Sequence, residues 1–200
     1  MGNLGAIMIR RLYDWTMGLA GHRHAFWALA VVAFIESSVF PIPPDVLMIP
    51  MILARPHLAF RIAGIATLAS VLGGCLGYAI GWGLMDSIGR PLLDFYGASG
   101  DFEALAARFN EQGAWAVLIA GVTPFPYKVI TIFSGATGLD LVTFTAVSVV
   151  ARALRFFFVA WLLWKYGAPV RRFIERWLGW LFTLFIALVI AGFYLVRYLA

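Results

Sequence analysis

The chain has 200 residues, of which 62% are hydrophobic and only 12% charged, with a formal net charge of +5. A soluble domain carries about 25% charged residues, so this composition excludes a water-soluble globule and implies an integral membrane protein. The basic excess sits in loops and helix ends, which fits membrane topology rather than nucleic-acid binding. The single cysteine, Cys75, excludes an internal disulfide.

In chain order, residues 1–24 come first. Leu4, Ile7, Met8, Leu12 and Trp15 recur at helical spacing, interrupted by Arg11. The stripe suits either an amphipathic helix lying on the bilayer surface or a first helix packed on the bundle, and no cleavable signal is visible. Five apolar stretches follow, at 25–54, 58–85, 114–139, 141–164 and 177–196. A helix needs about 20 apolar residues to cross a bilayer, and the second, fourth and fifth stretches are expected to do so. In 58–85, Gly73, Gly77 and Gly81 recur every four residues, the spacing that lets helix backbones approach closely. Residues 86–112, with Asp86, Asp94, Asp101, Glu103 and Glu111, are expected to form a surface loop or helix. The whole is expected to be one membrane domain over 1–200.

The stretches 25–54 and 114–139 are interrupted near their centres. The first contains Pro41, Pro43, Pro44 and then Asp45; the second contains Pro124, Pro126 and then Lys128. Two prolines one residue apart precede a charge in each, and the charges have opposite sign. Proline removes a backbone donor and clashes with the preceding helical turn, and it pushes its predecessor out of helical geometry. Backbone freed in this way survives at membrane depth only when protein covers it or it lines a wet cavity. The pattern is a weak internal repeat of broken segments, each expected to dip into the membrane and turn back. The expected fold is therefore an all-α bundle with two opposed re-entrant hairpins and about three full spans. Loop charge is the same whether the broken segments re-enter or cross. Both arrangements put the N-terminus and the 165–176 loop in the cytoplasm.

Five ionisable residues fall inside apolar stretches: Glu36, Asp45, Lys128, Arg152 and Arg155. Each costs roughly 2.5–3.5 kcal/mol at a helix centre when unpaired, so pairing or hydration is expected. Arg152 and Arg155 are three apart and share a helix face. Either the charges form an ion-pair network that holds the hairpins, or they line a polar cavity whose surplus positive charge suits an anionic group such as phosphate. In the second case Glu36 or Asp45 gates the cavity or takes up a proton.

"FIESSVFPIPPDVLMIP" resembles the first re-entrant motif of the DedA (VTT, or SNARE-associated) membrane protein family, in which an acid precedes a proline pair and a second acid. "GVTPFPYKVITIFSGATG" followed by "ARALRFF" resembles the second motif as found in the YqaA-like branch. The resemblance covers roughly residues 26 to 165. It implies hairpin tips that face each other, a bacterial inner-membrane location and movement of lipids such as phospholipids or polyprenyl phosphates, with proton coupling proposed for some members. The matched acids are Glu36 and Asp45. Where an arginine is expected after the second proline, this chain has Tyr127 and Lys128, and Arg152 and Arg155 are placed to supply the missing positive charge.

The leading expectation is a lipid flippase or scramblase in which Tyr127, Lys128, Arg152 and Arg155 bind the headgroup and Glu36 and Asp45 gate or accept protons. The alternatives are an ion-coupled small-solute transporter and a non-transporting envelope-homeostasis protein. An enzyme is not expected: no histidine lies inside a span, and no nucleophile or metal motif is present. No cofactor is expected. The expected partners are membrane lipids and protons, with no nucleic acid, and the small-residue faces permit, without requiring, a second copy of the chain.

Overall fold

The computed structural model describes residues 24–39, 43–123, 126–167 and 169. The expected helices within 1–23 and 177–196, and the tip prolines Pro41 and Pro124, lie outside these residues. Every regular element among the described residues is helical.

Helix α1 (Ala25–Ser38) ends where the Val39 amide bonds back to Ile35 and the prolines begin. Its buried positions Ala25, Leu29, Ala33 and Ser37 repeat every four residues, one stripe of the helix. Helix α2 (Asp45–Ala54) starts directly after Pro44, with Asp45 in its first turn, where an acid complements the positive end of the helix dipole. After the short 3-10 turn Pro56–Leu58, α3 (Ala59–Leu84) runs for 26 residues. A π-helical turn, Met85–Gly89, carries it into α4 (Arg90–Tyr96). Gly97, in the left-handed region at φ 67°, then breaks the chain direction.

Helix α5 (Ser99–Glu111) buries none of its residues and carries its charges outward. Helix α6 (Gly113–Val122) ends at Thr123, whose backbone is extended, and α7 (Tyr127–Ala136) starts directly after Pro126. Asp140 caps the last helix, α8 (Leu141–Gly167). Its Oδ2 accepts from the Thr143 amide at 2.7 Å and the Thr143 hydroxyl at 2.8 Å.

Length sorts these helices into two kinds. The hydrocarbon layer is about 30 Å thick, and α3 and α8 are each roughly 40 Å long at 1.5 Å per residue. Both are apolar enough to span it. By the same measure α1 is about 21 Å long and α2, α6 and α7 about 15 Å, so none of these crosses alone.

The contacts fix directions. Helix α1 runs alongside α3 in the same sense: Phe26 lies beneath the Arg61 guanidinium, and Phe34 lies on Gly73. Helix α8 runs against α3, because Phe144 meets Tyr78, Arg152 meets Ser70 and Trp164 meets Phe60. Helix α2 follows α8, from Asp45 beside Arg155 to Leu53 beside Gly167, and therefore opposes α1. Helix α7 follows α3, with Tyr127 at Gly74 and Gly135 at Tyr78. Helix α6 follows α8, from Gly113 at Leu139 to Gly121 at Ala151, and therefore opposes α7. Each short pair thus doubles back on itself, from opposite ends of the bundle. Their breaks meet halfway along α3 and α8.

Glycine makes that meeting possible. A methyl group on Gly73 would collide with the Phe34 carbonyl, one on Gly77 with the Thr131 hydroxyl, and one on Gly81 with the Ile132 carbonyl. On the facing helix, Gly135 sits equally tightly against the Tyr78 carbonyl. One glycine-lined face of α3 therefore admits α1 along its first half and α7 along its second. The larger apolar core joins α1, α2, α3 and α8 around Leu29, Met48, Ile52, Ile62 and Phe156; a smaller one joins α6, α7 and α8 around Val117, Tyr127 and Phe144.

Candidate functional site at the meeting of the two breaks

Arg152 is fully buried at the middle of α8. Its Nη2 donates to Glu36 Oε2 at 2.9 Å, and its Nε donates to Ser70 Oγ at 2.6 Å. A guanidinium has no acceptor, so the direction of the remaining bonds follows. Ser70 receives from Arg152 and passes its own O–H to Ser37 Oγ, 2.6 Å away. Ser37 in turn donates to Glu36 Oε2 at 3.1 Å. The four side chains close a ring that links α1, α3 and α8. The guanidinium also lies 4.6 Å from the Tyr127 ring centre and 4.7 Å from that of Phe156, where it gains cation–π attraction on desolvated faces. Its Nη1 is buried and has no hydrogen-bond partner among the described residues.

One turn further along α8, Arg155 Nη2 donates to Asp45 Oδ2 at 2.8 Å, and Nη1 donates to the Thr123 carbonyl at 3.3 Å. This pair ties the start of α2 to the end of α6, across both breaks. It is the more open of the two. Arg155 and Asp45 retain 19% and 22% side-chain exposure, against 0% and 14% for Arg152 and Glu36.

The breaks also touch directly. Thr131 shares its hydroxyl proton between the Lys128 carbonyl of its own helix at 2.9 Å and the Ser37 carbonyl at 3.1 Å, and Lys128 Nζ lies 3.5 Å from the Val39 carbonyl. The Ser37 and Val39 carbonyls sit at the end of α1, where the helix leaves its last acceptors without partners. Tyr127 is fully buried and donates its hydroxyl to Ser148 on α8. Gly121 brings α6 close to Ala151 and the Tyr127 ring, immediately beside Arg152.

The sequence-derived candidates therefore gather around one level of the bundle, in an arrangement finer than a single cluster. Glu36 joins Arg152, and Asp45 joins Arg155. Lys128 forms no ion pair among the described residues; it reaches a backbone carbonyl instead. Tyr127 acts as a packing wall for Arg152 rather than as an open ligand. Pro44 and Pro126 stand at the starts of α2 and α7, and Pro43 is exposed in the first break. Sequence reasoning missed Ser70, Ser148, Thr123 and Thr131. For Ser70, Ser148 and Thr131 the available signal was a hydroxyl inside an apolar helix; Thr123 takes part only through its backbone carbonyl at the end of α6, which its residue type does not announce.

Two openings flank this level. A groove of about 290 Å³ lies between α6 and α8, lined by Ala114, Trp115, Leu118, Ala146, Val147 and Val150. It is wholly apolar and faces sideways, and its α8 residues lie on a different face of that helix from the buried Arg152. A larger cavity of about 390 Å³ sits at the far end of α3, where Asp86, Arg90, Asp94 and Glu103 face the end of α7.

The sequence matches the family described as VTT domain over residues 42–165. Among curated proteins it is similar to an uncharacterized protein of Haemophilus influenzae, at 37% identity over 188 residues, covering 92% of this chain and 96% of that protein. It is also similar to an uncharacterized protein of Histophilus somni, at 39% identity over 173 residues, covering 84% of this chain and 90% of the relative. No solved structure matches at a significant level.

Proposed function

The chain belongs to the VTT-domain (DedA) family of membrane proteins, and from that premise we propose that it moves phosphate-headgroup lipids across the bilayer as a flippase or scramblase. The observation that carries this reading is the meeting of two doubled-back helix pairs around buried and half-buried arginines halfway along α3 and α8. Helices too short to cross, whose breaks meet at one depth, are best accommodated as opposed re-entrant hairpins. Irregular backbone at that depth has to be covered by protein or to line a wet path. Opposed broken helices with a site where their tips meet are a recurrent transporter design.

The arginines and Lys128 are the phosphate ligands in this reading, and Glu36 and Asp45 are the gating or proton-accepting groups. The sideways apolar groove between α6 and α8 favours a lipid over a free solute, because acyl chains can stay in hydrocarbon while the headgroup passes. Location in a bacterial inner membrane with a cytoplasmic N-terminus completes the proposal.

The test is reconstitution of the purified protein in liposomes that carry a fluorescently labelled phospholipid, with chemical quenching from outside. The wild type is expected to expose inner-leaflet label to the quencher, and Arg155→Ala is expected to stop this. Equal quenching in protein-free and wild-type vesicles would refute lipid movement.

A further inference from the structure

We infer, resting on the lipid reading above, that the two ion pairs have different tasks: Arg152 is a fixed donor, whereas Arg155 exchanges the Asp45 carboxylate for a phosphoryl anion. The ligand chemistry is a phosphate monoester or diester, from a lipid headgroup or from free phosphate.

Arg152 is poorly suited to exchange. Releasing it opens the ring through Ser70, Ser37 and Glu36 and uncovers a guanidinium enclosed by Tyr127 and Phe156. A buried charge that loses its partner is strongly destabilising, so this pair is a frame. Yet the frame leaves one edge of the guanidinium unused, because Nη1 is buried and has no partner among the described residues. A fully buried donor in that state is an unmet demand for an acceptor.

Arg155 has the opposite properties. Both it and Asp45 are partly exposed, and its second bond goes to a backbone carbonyl at the other break rather than to a fixed side chain. Asp45 also has an alternative place to put its charge. It lies in the first turn of α2, at the positive end of the helix dipole, which favours its charge even though the Val46, Leu47 and Met48 amides already bond to the Pro43 and Pro44 carbonyls. A carboxylate that lets go of Arg155 is therefore not stranded. Arg155 and Arg152 flank the same ring, with guanidinium carbons 5.9 and 4.7 Å from the centre of Phe156. A phosphoryl group taking the place of Asp45 on Arg155 thus arrives beside the frame that holds the unused Nη1. A planar guanidinium matches phosphate as well as it matches carboxylate, which makes the exchange chemically balanced.

The experiment is calorimetric titration of the full-length protein in dodecyl maltoside, a detergent without phosphate, using dihexanoyl phosphatidic acid and, separately, inorganic phosphate. Removing the competing carboxylate with Asp45→Asn is expected to tighten binding by about fivefold, the size expected for a partly exposed pair. Glu36→Gln is expected to weaken binding, because it loosens the frame. Should Asp45→Asn fail to assemble, Asp45→Ser removes the same charge with the same expectation. Tightening for the lipid probe alone assigns the site to headgroups; tightening for both admits free phosphate. Unchanged or weaker binding in the Asp45 variants overturns the exchange, as does tightening in Glu36→Gln. Labelled lipid moving in the liposome assay without either probe binding would leave transport standing and the exchange refuted.

Discussion

Two arginines three residues apart on α8 each meet an acid of the same broken helix pair, yet their surroundings differ in almost every respect. Arg152 is sealed, stacked on two aromatic rings and held by a hydroxyl on α3 as well as by Glu36. Arg155 is partly exposed and spans the two breaks, from Asp45 to the Thr123 carbonyl. Equal charge pairing therefore does not mean equal function. Burial and the count of fixed partners separate a group that holds the fold from one that can let go.

The sharpest way to break this contrast is Arg152→Ala, which leaves Glu36 without its cation. The expected loss is about 3–5 kcal/mol of stability, read as a lower melting temperature in detergent and as poor recovery. Arg152→Lys is expected to fail similarly, because an ammonium cannot reproduce the fork that bridges Ser70 and Glu36. Ser70→Ala comes next. It leaves the Arg152 Nε without an acceptor, at an expected cost of about 1–3 kcal/mol, and melting of Ser70→Ala against Ser70→Thr separates the hydroxyl from the packing. A loss matching that of Arg155→Ala would erase the distinction between the pairs.

Arg155→Ala itself is expected to cost less than Arg152→Ala, since about a fifth of each partner's side chain stays exposed, while abolishing lipid movement in liposomes. Loss of transport in a well-folded protein is the signature expected here and not at Arg152. The smallest effect concerns Asp140, away from both pairs. Hydrogen bonds from the Thr143 amide and then its hydroxyl hold the Asp140 carboxyl below the usual aspartate range. A folded-state value below the unfolded one means the cap stabilises α8 at neutral pH and is lost as pH falls through the folded value. Asp140→Ala is therefore expected to melt slightly lower than wild type near neutrality, the gap closing in strong acid.

Much of the frame was legible because it rests on residues with few options. Proline cannot continue a helix, so Pro43, Pro44 and Pro126 announced the interruptions. Charges in apolar stretches are too costly to be incidental, so Glu36, Asp45, Arg152 and Arg155 announced themselves as a group. The all-helical class followed from composition. The pairing within the group was not legible, because Glu36 and Arg152 lie far apart in the chain and no periodicity links them. Which arginine took which acid depends on the offsets of α1 and α8 along α3, and the glycine face of α3 fixes only that of α1, through backbone contact. The supporting hydroxyls were hidden for a different reason. Serine and threonine are common in apolar helices, where they often bond to their own backbone, as Thr67 does, so nothing local distinguished Ser70. Lys128 was grouped with these residues because it is charged, lies in an apolar stretch and follows the second proline pair, but its position one residue into α7 points it to a carbonyl of the first break.

The most direct test of the central claim is a charge swap across the breaks, with Asp45→Arg and Arg155→Asp made singly and together and lipid movement measured in liposomes. Each single reversal places two like charges face to face and is expected to abolish transport; the double reversal is expected to restore a substantial part of it. Folded single variants that transport normally, or a folded double variant as inactive as the singles, would contradict the account.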